Sequence, residues 1–135
     1  MSKLLQRLSD PKRAGVYRAS GMQAIRDATQ GSELDVVQID AHEKPIERIA
    51  RALEFPHWFG GNWDALEDSL GDLSWRKGTG HVLVFTAYPP REQLGMLIDV
   101  LRSSAEDWAG RGKPFFAVMI NPERNLALPD LYRET

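Results

Sequence analysis

The stretch Phe55-Pro-His-Trp-Phe-Gly-Gly-Asn-Trp-Asp-Ala-Leu-Glu-Asp-Ser-Leu-Gly-Asp-Leu73 starts as a loop punctuated by proline and glycine and turns into a helix. Asn62 is placed to cap that helix, because its side-chain oxygen can accept a backbone N–H of the first turn. At about 100° per residue, Trp63, Leu66, Leu70 and Leu73 share one face. Asp64, Glu67, Asp68 and Asp72 share the other. One side is made for burial and the other carries carboxylates. Asp64 and Asp68 stand at i,i+4, where like charges destabilise a helix by about 0.2–0.5 kcal/mol. The helix N-terminus offsets this for Asp64, by about 0.3–1 kcal/mol, and does little for Asp68 or Asp72. No Lys or Arg occurs between Arg51 and Arg76, so nothing nearby in sequence neutralises the group. An acidic outer helix face is ordinarily solvated surface, and the residues alone leave that reading open.

The excess of acids extends beyond this helix. From Glu33 to Asp72 ten acids oppose three bases, a net −7, while the rest of the 135-residue chain sums to +5. A face so biased repels nucleic acid and attracts proteins that bind it. The chain has no cysteine. That excludes disulfides, thiolate metal sites and a cysteine nucleophile, and it suits a reducing cytosol. The first eleven residues lack the apolar core of a secretory signal, and no apolar run approaches the roughly 18 residues a bilayer span needs. We therefore expect a cytoplasmic protein, monomeric, with no membrane or nucleic-acid contact.

Upstream of the acidic helix, Leu34–Ile39 is rich in β-branched residues and reads as a strand. A helix follows from about Lys44 to Glu54, with Pro45 in its first turn, where the missing N–H is harmless. Ile46, Ile49, Ala50 and Leu53 are its apolar stripe. His57, in the loop that follows, reads as an exposed residue. Downstream, Lys77–Gly80 is a turn, and His81–Thr86 is apolar almost throughout, as suits a strand covered on both faces. His81 reads as structural. After Pro89-Pro90 a helix runs from about Arg91 to Ala109, with Leu94, Leu97, Ile98, Leu101, Ala105 and Trp108 as its buried stripe. Gly110–Gly112 end it, and Phe115–Ile120 form the last strand.

Helices alternating with strands call for a parallel sheet. The spacing thus predicts an α/β fold: a small three-stranded parallel sheet flanked by helices, to which Gly15–Ala19 can add an N-terminal strand. A short helix is expected over Lys3–Leu8. Ser20-Gly-Met-Gln23 has the pattern of a capping box, opening a helix that ends near Gly31. The chain divides into an N-terminal extension (1–33), the α/β domain (34–120) and a C-terminal tail (121–135), where Leu126, Leu128, Leu131 and Tyr132 can pin part of the tail.

The order Phe-Gly-Gly-Asn-Trp-Asp-Ala-Leu-x-Asp-x-Leu over residues 59–70 closely resembles the signature of the barstar family, bacterial intracellular inhibitors of secreted ribonucleases. Asn62, Asp64, Ala65, Leu66, Asp68 and Leu70 stand where that family has them. The succession of elements from Leu34 to Ile120 is the family's as well. The resemblance implies a barstar-like fold and an inhibitor of a small basic, barnase-like ribonuclease. Its loop and acidic helix would enter the enzyme's active-site cleft, with carboxylates where RNA phosphates bind. By position the resemblance assigns partner contacts to Trp58, Gly60, Asn62, Asp64, Glu67, Asp68 and Asp107, with Asp68 deepest and Glu106 as the alternative to Asp107. It implies no catalytic residue, no cofactor and no metal. Glu67 stands where the family has an aromatic, Ser69 replaces a cysteine of its best-known member, and the turn after the acidic helix is a few residues longer.

Three other readings stay open at this level. The chain can be a barstar-like immunity or adaptor protein for a different basic toxin or regulator. Two carboxylates can serve a hydrolase, given a cleft and a raised pKa on one of them. Asp64, Glu67 and Asp68 are oxygen ligands for Ca²⁺ or Mg²⁺, although they do not form an EF-hand and are few.

Overall fold

The computed structural model describes residues 2–57 and 59–133. Four parallel strands, β1 (Gly15–Ala19), β2 (Asp35–Asp40), β3 (His81–Ala87) and β4 (Phe115–Ile120), form one sheet in the order β1-β4-β3-β2. The helices are α1 (Lys3–Leu8), α2 (Gln23–Thr29), α3 (Pro45–Ala52), α4 (Trp63–Asp72) and α5 (Arg91–Gly110).

The side-chain alternation of β3 and β4 sorts the helices into two layers. Leu83 and Phe85 of β3, with Phe115, Ala117 and Met119 of β4, point to one face. There they meet Ile49 of α3 and Leu53 just after it, Leu66 and Leu70 of α4 and Leu73 just after it, and Leu97, Leu101 and Trp108 of α5. Val82, Val84, Phe116 and Val118 point to the other face, against Leu8 of α1, Ile25 of α2 and Leu131 of the tail. Both faces are covered, so the two central strands are apolar throughout.

The sheet has four strands rather than three. Gly15–Ala19 pairs in register along the free side of β4, Val16 opposite Ala117 and Arg18 opposite Met119. A charged residue in so short a segment argues for an exposed extension, yet Arg18 is only 2% exposed. Its guanidinium donates to the Asp130 carboxylate, to the Asn121 carbonyl and to the Ser20 hydroxyl. Burial of that charge is tolerated because it is paired and hydrogen-bonded. The tail follows the outer side of β1, with Arg18 N–H donating to the Pro129 carbonyl at 2.9 Å and Leu131 N–H to the Arg18 carbonyl at 2.9 Å. It thereby covers an edge that would otherwise offer unpaired backbone groups.

The capping box at Ser20–Gln23 does not form. Helix α2 begins at Gln23 behind Met22, without a side-chain cap. The Ser20 hydroxyl accepts from Arg18 instead, and the Gln23 amide donates to Asp27 at 2.8 Å. Among the described residues no helix is long and apolar enough to cross a membrane.

Candidate functional site

The segment between α3 and α4 is fastened at both ends. Leaving α3, the chain turns through Glu54 at φ 55°, and Phe55 N–H returns to the Ala50 carbonyl at 2.8 Å. The Phe55 ring meets Phe59 edge-on at 4.9 Å and Trp75 at 5.6 Å. Trp75 also donates its indole N–H to the Leu53 carbonyl at 2.9 Å. Three aromatics thus tie the loop to the turn beyond α4, with the geometry such rings prefer. Gly61 takes φ 74°, a left-handed conformation open to glycine at little cost. Asn62 then caps α4, its side-chain oxygen accepting from Ala65 N–H at 2.8 Å. Trp58 lies outside the described residues.

Helix α4 shows the two faces its spacing implies. Leu66 and Leu70 are fully buried and Trp63 is half-buried. Asp64, Asp68 and Asp72 are exposed, Glu67 is half-buried, and Gly60 and Asn62 are exposed just ahead of them. Among the described residues, Asp64, Glu67, Asp68 and Asp107 form no ion pair and no side-chain hydrogen bond with this chain's own groups. Replacing both Asp64 and Asp68 with alanine is therefore expected to leave the melting temperature within about 3 °C of wild type. The lost helix-dipole contribution of Asp64 and the relieved i,i+4 repulsion are of similar size and opposite sign. Calorimetric melting checks this, and a large drop would mean that the pair supports the fold.

Helix α5 separates its two neighbouring acids. The Asp107 carboxylate borders α4, 4.0 Å from where a Cβ on Gly71 would stand. Glu106 instead borders a hollow it shares with Ala14, Tyr17 and Pro129, on the β1 side. A second hollow of about 170 Å³, lined by Lys44, Pro45, Ile46, Gly61 and Trp63, opens beside the loop. Among the described residues no group of three His, Asp or Glu is placed to hold a metal ion.

One of the acids counted from Glu33 to Asp72, Asp35, does not add to a free negative face, and an exposed second, Glu54, touches the same arginine. The Arg76 guanidinium grips Asp35 through Nε at 2.8 Å and Nη2 at 2.9 Å, and reaches Glu54 through Nη1 at 3.1 Å. His81, buried and edge-on to Trp108, places Nδ1 2.9 Å from the same Asp35 carboxylate. An ionised carboxylate only accepts, so Nδ1 carries the hydrogen. Burial by itself would raise the Asp35 pKa. Hydrogen bonds from Arg76 and His81, and their charges, outweigh it and hold the carboxyl well below the usual range.

This cluster ties the segment after α4 to the starts of β2 and β3, and the linear reading misses it. A usable signal does exist: Asp35 and His81 open two strands of one parallel pair and are register partners. An acid and an imidazole at matching strand starts are thereby brought together.

No curated protein and no solved structure matches the chain significantly. A family model described as Barstar (barnase inhibitor) matches residues 29–120. That span runs from the end of α2 through β4, and so includes the aromatic-anchored loop, the capped acidic helix and the part of α5 that carries Asp107. The chain therefore belongs to the barstar family.

Proposed function

We propose that this protein acts in the cytoplasm as an inhibitor of a small, cationic, barnase-like ribonuclease, and that the loop and α4 fill the enzyme's active-site cleft. The observation that carries the reading is the set of carboxylates on α4, with Asp64 and Asp68 exposed and Glu67 half-buried, without partners of their own among the described residues, on a helix capped at one end and packed on α5. A ribonuclease cleft must be cationic to hold a phosphodiester and the charge of its transition state. A preformed row of carboxylates complements that field without the cost of ordering a flexible segment. Asp68 is assigned the deepest position and Asp64 the neighbouring one, with Glu67 beside them. Asp107 supplies a fourth acidic contact, because it is the α5 acid that borders α4. Trp58, Gly60 and Asn62 form the rim.

Glu67 stands where the family resemblance puts an aromatic, and this favours one alternative. An added charge at that point would suit a basic partner whose surface differs from barnase, and an immunity or adaptor role toward such a protein is the second reading.

Association governed by complementary fields is fast and salt-sensitive. Between about 50 and 500 mM salt the association rate is expected to fall by about 10- to 100-fold, as read by stopped-flow fluorescence. A flat profile would refute steering. Capture from a panel of small bacterial ribonucleases, with an activity assay on each mixture, tests the function itself. Loss of nuclease activity in step with capture supports inhibition. Capture of a basic protein that is not a ribonuclease supports the second reading.

A further inference from the structure

The C-terminal turn of α4 is poorly built for standing alone. It reads Ser69-Leu-Gly-Asp72, with a glycine inside the helix, an aspartate at the negative end of the dipole and no base. The helix stops on Leu73 at φ 47°, in the left-handed region that favours glycine. Of its last carbonyls, Ser69 accepts from Leu73 N–H at 3.0 Å. The next two are satisfied from outside the helix, by side chains of a single turn at the end of α5. Trp108 Nε1 donates to the Leu70 carbonyl at 2.8 Å, and Arg111 Nη2 donates to the Gly71 carbonyl at 2.6 Å. Arg111 also lies over the Trp108 ring, 3.9 Å from its centre. Each donor therefore holds the other in place.

We infer that Trp108 and Arg111 are positioning residues that clamp the last turn of α4 and so fix Asp68. In an α-helix the Asp72 N–H bonds back to the Asp68 carbonyl. Fraying of the last turn removes the support directly behind that carboxylate. The clamp also supplies the positive charge that the turn lacks. It does so by bringing a cation to the border of an anionic surface, which attraction of a basic partner alone would disfavour. The two effects of Arg111 on such a partner therefore oppose each other, and kinetics can separate them. The link to Asp68 as a contact rests on the proposed function, whereas the clamp itself can be tested with the protein alone.

The test uses Arg111→Ala and Arg111→Lys in the full chain. Arg111 is exposed, so the fold is retained. In hydrogen exchange, Arg111→Ala is expected to speed the amides of residues 70–73 about tenfold while leaving those of α3 unchanged. Arg111→Lys should recover part of the protection. Gly71→Ala added to Arg111→Ala should also recover some, because its new Cβ meets only Asp107, at an ordinary 4.0 Å, and alanine favours the helix. With a barnase-like ribonuclease, Arg111→Ala should raise the dissociation rate about five- to tenfold and leave the association rate equal or higher. Unchanged exchange in α4, equal acceleration throughout the protein, or a change in association rate alone would each overturn the clamp. A local exchange response in a protein that no ribonuclease binds would uphold the clamp and remove the proposed function.

Discussion

Replacing Asp68 with alanine is expected to weaken binding to a barnase-like ribonuclease by at least about 30-fold, and replacing Asp72 by less than about threefold. Asp68 lies mid-helix on the exposed face, without a partner among the described residues. In the proposed complex it is desolvated against the cations of the cleft. Removing it forfeits the charge pair and also leaves those cations buried and unmatched. Truncations of this kind cost about 2–5 kcal/mol or more. The barnase–barstar interface is itself the reference case for such couplings, at about 1.5–7 kcal/mol for close charge pairs. Asp72 lies one turn further on, toward the end that Arg111 holds. It is assigned to the rim, where a charge changes the association rate more than the affinity. Titration calorimetry of the two variants compares them directly, and equal losses would contradict a model in which Asp68 is the deepest group.

Arg76→Ala is expected to lower stability by about 3 kcal/mol and the melting temperature by about 10 °C. The guanidinium is 16% exposed and its bidentate partner Asp35 is 11% exposed. Among the described residues, removing the cation leaves a largely buried carboxylate with His81 as its one remaining side-chain partner. The effect depends on pH with a definite sign. The Asp35 carboxyl titrates well below the unfolded value of about 3.9. Its contribution is therefore complete above about pH 4 and is lost as the pH falls toward the folded value. Urea unfolding at pH 7 and at pH 3 should show the gap between wild type and Arg76→Ala narrowing in acid. A constant gap would mean that Arg76 acts through packing of its alkyl stem rather than through the charge. Glu54 is 81% exposed, and its contact with Arg76 adds little.

The parts of the fold that depend on local pattern were readable from the chain. The apolar runs at His81–Thr86 and Phe115–Ile120, the stripe of α5, and the Asn62 cap of α4 each follow from periodicity or from one hydrogen bond a few residues away. What stayed hidden depends on groups far apart in sequence. Gly15–Ala19 was readable as an added strand, but the pairing of its buried Arg18 with Asp130 more than a hundred residues later was not, since no local rule anticipates that match. Trp108 was legible as core, but its indole N–H on the Leu70 carbonyl was not, nor was Arg111 as the base that reaches α4. Counting along α5 could not choose between Asp107 and Glu106. About 100° of helical rotation separates them, turning Asp107 toward Gly71 and Glu106 toward β1. The charge count from Glu33 to Asp72 likewise overstated the free negative surface, since Arg76 lies just beyond the interval, pairs with Asp35 and reaches Glu54, and so cancels one unit of that charge.

The claim that the α4 carboxylates take the places of RNA phosphates can be tested by displacement of a labelled oligonucleotide from a catalytically inactive barnase-like ribonuclease. The account predicts complete release at one equivalent of this protein, and failure of release by the protein carrying both Asp64→Ala and Asp68→Ala at the same concentration. A ternary complex, with the oligonucleotide still bound while this protein is attached, would contradict it.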